Sequence, residues 1–342
     1  MSALLERPPA PAPASARTAL RGPLWVSVRQ HRTALLIAAA AVLVGALILV
    51  AYRIWAGSVT DDFAATGCKP DGPNGPDCSQ VARDFSDDMN SFHYVMGYGS
   101  LFLQLLPMVL GVFVAGPVVA RELESGTYKL AWTQSVSPAR WLTAKLLPFA
   151  VPVLLLVPVL TAVRAWTASS LPDNTAYDPR PWYEITTYLS LGTLPLAYAL
   201  FGIAAGALVG LLAARTVPAM SVTLLAFGGV YLALNGAREH LWPTAFATTP
   251  LDSPGPVGGS TEWWLEGGVI MANGDRRSGP QCVSVDPDMP ACLADRGATG
   301  RYAEYHPASH FWPLQLVETG IVLVLAAACV FAAFKVLRRR HA

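Results

Sequence analysis

Six stretches of this chain are long and apolar enough to decide its environment before any motif is considered: residues 34–54, 100–120, 146–166, 185–214, 217–235 and 311–334. A bilayer presents about 30 Å of hydrocarbon, and a helix rising 1.5 Å per residue crosses it in about 20 residues. Composition agrees, with 53% hydrophobic and 14% charged residues, where a soluble domain carries about 25% charge. The spacing therefore predicts an all-α polytopic membrane protein of about six transmembrane helices. The fourth stretch is long enough to tilt or to project past the bilayer. Prolines at 107, 117, 148, 152, 158 and 195 fit as kinks, because neighbouring helices can satisfy the carbonyls they free. A net charge of +1 gives no basis for binding nucleic acid.

Charge near the ends of the stretches sets the expected orientation. Arg7, Arg17, Arg21, Arg29 and Arg32 precede the first; Arg121, Lys129, Arg140 and Lys145 follow the second. Arg215 follows the fourth, and Lys335, Arg338, Arg339 and Arg340 close the chain. With six spans all these clusters fall on one side, so both termini are expected in the cytoplasm of a plasma-membrane protein. Residues 1–33 read as a partly disordered, Pro/Ala-rich cytoplasmic tail. The first stretch is too long and too far from the start for a cleaved leader. Residues 34–235 hold spans one to five, 236–310 form an extracytoplasmic segment, and 311–342 form the sixth span and a basic tail.

Four of the five cysteines lie in the two outer segments: Cys68 and Cys78 in the first, Cys282 and Cys292 in the second. Close pairs on an oxidising side read as two local disulfides. Cross-pairing between the segments and a zinc site are the alternatives, the latter without any C-x-x-C spacing to support it. The second outer segment is also rich in aromatics (Trp242, Trp263, Trp264, Tyr302, Tyr305). It is expected to be either a stapled lid over the bundle or a surface that meets substrate. Within the spans, Glu318, Arg164 and Gln104 are the costly polar groups. The preferred reading pairs Glu318 with Arg164 or Arg53 and lets Gln104 bond across helices.

The most informative segment is 120–142, A-R-E-L-E-S-G-T-Y-K-L-A-W-T-Q-S-V-S-P-A-R-W-L. The second span should continue past the membrane through Arg121, Glu122 and Glu124 and stop at Gly126, which takes positive φ without penalty. Ser137 and Pro138 mark the next helix start. The run R-E-x-E-x-G-T followed by L-x-W-T-Q-S resembles the corresponding region of type-2 ABC transporter permeases, in particular the actinobacterial kind. A second resemblance lies in P-A-S-H-F-W-P-L-Q-L-V-E, from Pro307 to Glu318. The resemblance implies the transmembrane permease subunit of an ABC exporter, working as two permease copies with two separate ATPase subunits. It further implies that Arg121, Glu122, Glu124, Gly126, Thr127, Tyr128, Trp132 and Gln134 couple the permease to the ATPase. The plainer alternative is that Arg121, Glu122 and Glu124 pair locally at the membrane surface.

No G-x-x-x-x-G-K-[ST] loop occurs, so nucleotide phosphates would be handled by a partner chain. No cofactor or metal is expected. His306 and His310 have a metal-like spacing, but Pro307 lies between them and no third ligand is evident. Without H-E-x-x-H, G-x-S-x-G or a paired-acid motif in a span, an intramembrane enzyme is the weaker reading. A non-transporting anchor or sensor subunit remains the main alternative. Expected partners are the ATPase, a second permease copy and membrane lipid.

Overall fold

The computed structural model describes residues 22–69, 76–133, 136–169, 181–253, 261–278, 282 and 289–339. Helix α1 spans Pro23–Ala65, with Pro23 pre-set for the first turn. At 43 residues it is about 65 Å long, twice what a bilayer requires. It turns at Gly67, φ +71°, and α2 returns over Pro76–Val109. The Cys68–Cys78 disulfide closes the turn, with Cα atoms 5.7 Å apart. Beyond their apolar stretches the two helices continue as a paired arm, where the sequence reading has only a connecting segment. The seam of the arm holds Phe63, Phe85, Met89 and Phe92, all buried, and the rings of Phe63 and Phe85 stack at 4.1 Å. The apolar spacing Phe85, Met89, Phe92, Met96 is a helical seam readable in the sequence.

After α2 the chain does not leave the helix. It passes through a π-turn, Leu110–Ala115, and continues as α3, Gly116–Ser125. Gly116 N–H donates to the carbonyl of Gly111, five residues back. Pro117 has no N–H to give to the preceding turn, which favours a slipped ladder here. Gly126, at φ +73°, ends α3 in the left-handed C-cap that the sequence indicates. A short helix α4, Tyr128–Thr133, follows. Helix α5, Pro138–Ala168, starts where expected, with Ser137 Oγ accepting from Arg140 N–H at 3.3 Å.

The fourth apolar stretch is not one long helix. It divides into α6, Ile185–Ser190, and α7, Leu194–Ala213. Leu191 is extended and Gly192 sits at φ +62°, while Pro195 suits only a first turn. A Cβ on Gly192 would come within 2.7 Å of the Gln315 side-chain oxygen, so the break is also tightly packed. Glu184 caps α6, accepting from Thr187 N–H at 2.9 Å and from the hydroxyls of Thr186 and Thr187. Desolvation alone would raise the pKa of its carboxyl. The hydrogen bonds from Thr186 and Thr187 outweigh that and hold it below the ordinary value.

Helix α7 is the central element of the bundle: 72% of its apolar stretch is buried, against 6% for α1. Its glycines allow this. A Cβ on Gly202 would sit 2.3 Å from the Pro107 carbonyl oxygen, one on Gly206 would sit 2.4 Å from that of Gly111, and one on Gly210 would sit 2.7 Å from that of Gly116. The 202/206/210 row thus lets α7 lie backbone-to-backbone along the π-turn, the close approach that small residues permit between membrane helices. A tight turn through Ala214 leads into α8, Thr216–Ala237, which ends in a 3₁₀ turn at Arg238–His240. Among the described residues, six helices are long and apolar enough to cross a membrane, in agreement with the sequence reading.

The segment after α8 departs from the all-α expectation. It forms an antiparallel sheet of β1 (Ala245–Thr249), β2 (Trp263–Met271), β3 (Arg276–Ser278) and β4 (Ala298–His306), in the order β1-β4-β2-β3. Between β3 and β4 lies α9, Met289–Asp295. The Cys282–Cys292 disulfide anchors this insertion. Asn273-Gly274 turns β2 into β3, with Gly274 at φ +85° and its N–H donating to the Met271 carbonyl at 2.9 Å. Asn-Gly is the dipeptide suited to such a tight turn, though the sequence reading has no hairpin here. A 3₁₀ turn, Ala308–His310, then leads into α10, Phe311–Arg339. Trp182 Nε1 donates to the Thr261 carbonyl at 2.6 Å, and Tyr183 stacks on Trp263 at 6.0 Å. These bonds seat the sheet on the end of the bundle opposite the Gly126 tip.

Candidate functional site

At the Gly126 tip, the charged residues of α3 are built into joints with two other helices. Glu122 accepts from Trp141 Nε1 of α5 at 2.9 Å and pairs with Lys145 one turn further on. Glu124 accepts from the backbone N–H of Thr216 at 3.0 Å and from its hydroxyl at 2.8 Å. It therefore caps α8, whose own N-cap position, Arg215, provides no side-chain cap. The Thr127 hydroxyl reaches back toward the Glu122 carbonyl at 3.5 Å and lies 2.9 Å from the Ser125 hydroxyl. Tyr128 packs against a core that contains Val119, Trp141, Leu142, Leu211 and Leu337. Arg121 is exposed and makes no hydrogen bond or ion pair with any described residue.

The sequence reading puts both carboxylates on a docking surface. In the structure each also bonds within the chain, and Glu124 stays exposed. Arg121, Ser125, Thr127 and Lys129 are exposed at the tip as well. The side chain of Trp132, and Gln134 altogether, lie outside the described residues.

At the opposite end, polar side chains converge between α7, α8 and α10. Glu318 is fully buried, and its carboxylate accepts from Arg238 Nε at 3.0 Å and Nη2 at 3.4 Å. The Tyr198 hydroxyl donates to it at 2.9 Å. The Arg238 guanidinium lies 4.3 Å from the Tyr188 ring centroid and donates to Asn235 Oδ1 at 3.1 Å. Gln315 Nε2 donates to the Tyr188 carbonyl at 2.8 Å, which fixes the break between α6 and α7 to α10. An anion held by a bidentate Arg and a Tyr is a satisfied buried pair.

This corrects the expected partners of Glu318. Arg164 instead donates to Ser100 Oγ through Nε at 3.0 Å and Nη2 at 2.6 Å, bridging α5 to α2. Arg53 lies over the Trp166 ring at 4.0 Å and bonds to the carbonyl of the same residue. Both are too firmly held elsewhere to reach Glu318. Arg238, three residues past the end of the fifth apolar stretch and at the same end as Glu318, is the partner the sequence reading did not consider. Gln104 does bond across helices, to the Tyr231 hydroxyl of α8. Among the described residues no group of His, Cys, Asp and Glu is arranged to hold a metal ion. His306 and His310 face each other through their Nδ1 atoms at 3.0 Å, with His306 Nε2 against the Glu239 carbonyl.

Among the described residues, six helices able to cross a membrane surround a glycine-packed centre, and one continuous helix ends in a structured tip; this is the architecture of a multi-pass membrane protein. The chain belongs to the ABC-2 membrane transporter related family, whose model matches residues 38–238. That match runs from α1 through the end of α8 and includes the whole tip; the sheet and α10 lie beyond it. No curated protein and no solved structure matches the chain.

Proposed function

We propose that the chain is the membrane-spanning subunit of an ABC exporter of the kind found in actinobacteria, working as a pair of copies. Both termini and the Gly126 tip face the cytoplasm, and a separate ATPase subunit docks on the tip. The single observation that carries this reading is the tip itself. Within a family match that covers it, one helix runs unbroken from the glycine-packed centre to Gly126. There it is tied to α5 through Glu122 and to α8 through Glu124. Movement applied to α4 would thus reach three spans through short, polar, directional joints.

In this arrangement Lys129, Tyr128 and Trp132 of the tip are the docking group. Glu122 and Glu124 transmit the movement rather than touch the ATPase. The disulfide-bonded hairpin turn and the sheet lie on the oxidising outer side, where such bonds persist.

Co-purification with an ABC ATPase subunit expressed together with this chain tests the reading. Truncating an aromatic anchor commonly costs about 2 kcal/mol or more, roughly a thirtyfold loss of affinity. Trp132→Ala should therefore release the ATPase or disconnect its turnover from transport, while the permease still inserts. Glu122→Gln should leave binding intact and lower transport-linked turnover. Equal binding and equal coupled turnover in all variants would remove the tip as the docking element.

A further inference from the structure

A second feature at the same end of the bundle is a groove of about 430 Å³ between α1, the π-turn region and α5. Its lining is sharply divided. Gln30, His31, Arg121 and Glu122 stand at the tip end, and the rest of the wall is apolar, including Leu35, Val42, Leu106, Phe113 and Phe149. The positions α1 contributes (30, 31, 34, 35, 38 and 42) recur on one helical face. Ala34 and Ala38 among them are exposed, so the groove opens sideways, toward the surroundings of the bundle, rather than into its core.

Its length and charge identify the occupant. From His31 to Val42 the α1 wall spans about 16 Å, at 1.5 Å per residue. That is the depth of one leaflet's hydrocarbon, about 15 Å. At the polar end Lys145 already neutralises Glu122, and Glu124, within electrostatic reach of Arg121, is hydrogen-bonded to Thr216; Arg121 is exposed and forms no close ion pair among the described residues. Arg29 and Arg32 are exposed on the same turns of α1 and add positive charge at this end of the bundle, and basic sites between membrane helices at this level suit anionic lipid headgroups.

We propose that the groove holds an acyl chain of an anionic phospholipid from the leaflet at the tip end, with Arg121 binding the headgroup phosphate. The proposal requires only that the bundle sits in a membrane. It is independent of any ATPase partner, so the two readings fail separately.

Native mass spectrometry of the delipidated full-length permease, titrated with phosphatidylglycerol or with phosphatidylcholine of the same chains, tests it. Wild type should retain phosphatidylglycerol in preference to phosphatidylcholine. Arg121→Gln should weaken phosphatidylglycerol about fivefold, the equivalent of about 1 kcal/mol for one basic group at the surface, and should erase most of the preference. Ala38→Trp, which fills the groove, should abolish the adduct, whereas Ile37→Trp, on the exposed neighbouring face of α1, should bind like wild type. Equal retention of the two lipids by wild type would overturn the proposal. So would an unchanged preference in Arg121→Gln, or wild-type binding by a monodisperse Ala38→Trp. Should Ala38→Trp not fold, the Arg121→Gln comparison decides alone.

Discussion

At the scale of single residues, the buried Arg238–Glu318 pair is the costliest commitment in the bundle. Neither side chain has access to water, so removing one charge strands the other, at a typical cost of 3–5 kcal/mol. Glu318→Gln should therefore lower the thermal midpoint in detergent by the equivalent of about 3 kcal/mol. The Arg238→Gln/Glu318→Gln double variant should recover much of that loss. A midpoint unchanged in Glu318→Gln, accompanied by loss of transport, would instead make the carboxylate a substrate contact. Glu124 makes a local counterpart, because its bonds to Thr216 replace the missing cap of α8. Glu124→Ala should raise hydrogen exchange in the first turn of α8 and leave the remainder of the helix protected. That Glu318 needed a partner was legible in the sequence, because a carboxylate inside an apolar stretch has few ways to be tolerated. Which arginine meets it was not, since depth along a helix is readable from residue count while azimuth around the bundle is fixed by packing.

At the scale of elements, the sequence reading located the apolar stretches and the helix boundaries at Gly126 and Ser137, which rest on backbone chemistry local to a few residues. It missed the arm of α1 and α2 because the polar content of residues 76–99 hides an apolar seam from a hydropathy average. It ran α6 and α7 together because composition alone does not show that Gly192 takes a positive φ. The sheet was missed for a related reason: β2 and β4 are partly buried on both faces, which blurs the alternation that marks a strand. The π-turn carries one residue more than an α-helix would need. An alanine inserted after Val119, where no such widening absorbs it, should swing the tip of α3 by about 100° relative to α2, the rotation per residue of a helix. Glu122 and Glu124 would then miss Trp141 and Thr216. The expected result is a protein that inserts but loses transport, checked by expression level against transport rate. Gly202→Val meets the Pro107 carbonyl directly and should cost about 1–3 kcal/mol or more through overpacking, read as a lower thermal midpoint.

At the scale of the whole molecule, the six spans and the basic clusters together predict that Ala342 and the Gly274 turn lie on opposite sides of the membrane. Reporter fusions at the two positions should give opposite signals, and like signals would reverse that topology. The order of the chain has its own consequence for how the protein is made. Arg238 is synthesised eighty residues before Glu318, with the entire sheet between them. A nascent chain therefore holds the arginine at the membrane boundary with no counter-charge until α10 has emerged. Chains that stop short of Phe311 carry a cation that nothing in the first five spans neutralises, and α7 cannot close against α10. Such products should be recognised and degraded even though five spans have inserted. On this account α10, which supplies the counter-charge, should be the helix whose arrival releases the bundle from quality control.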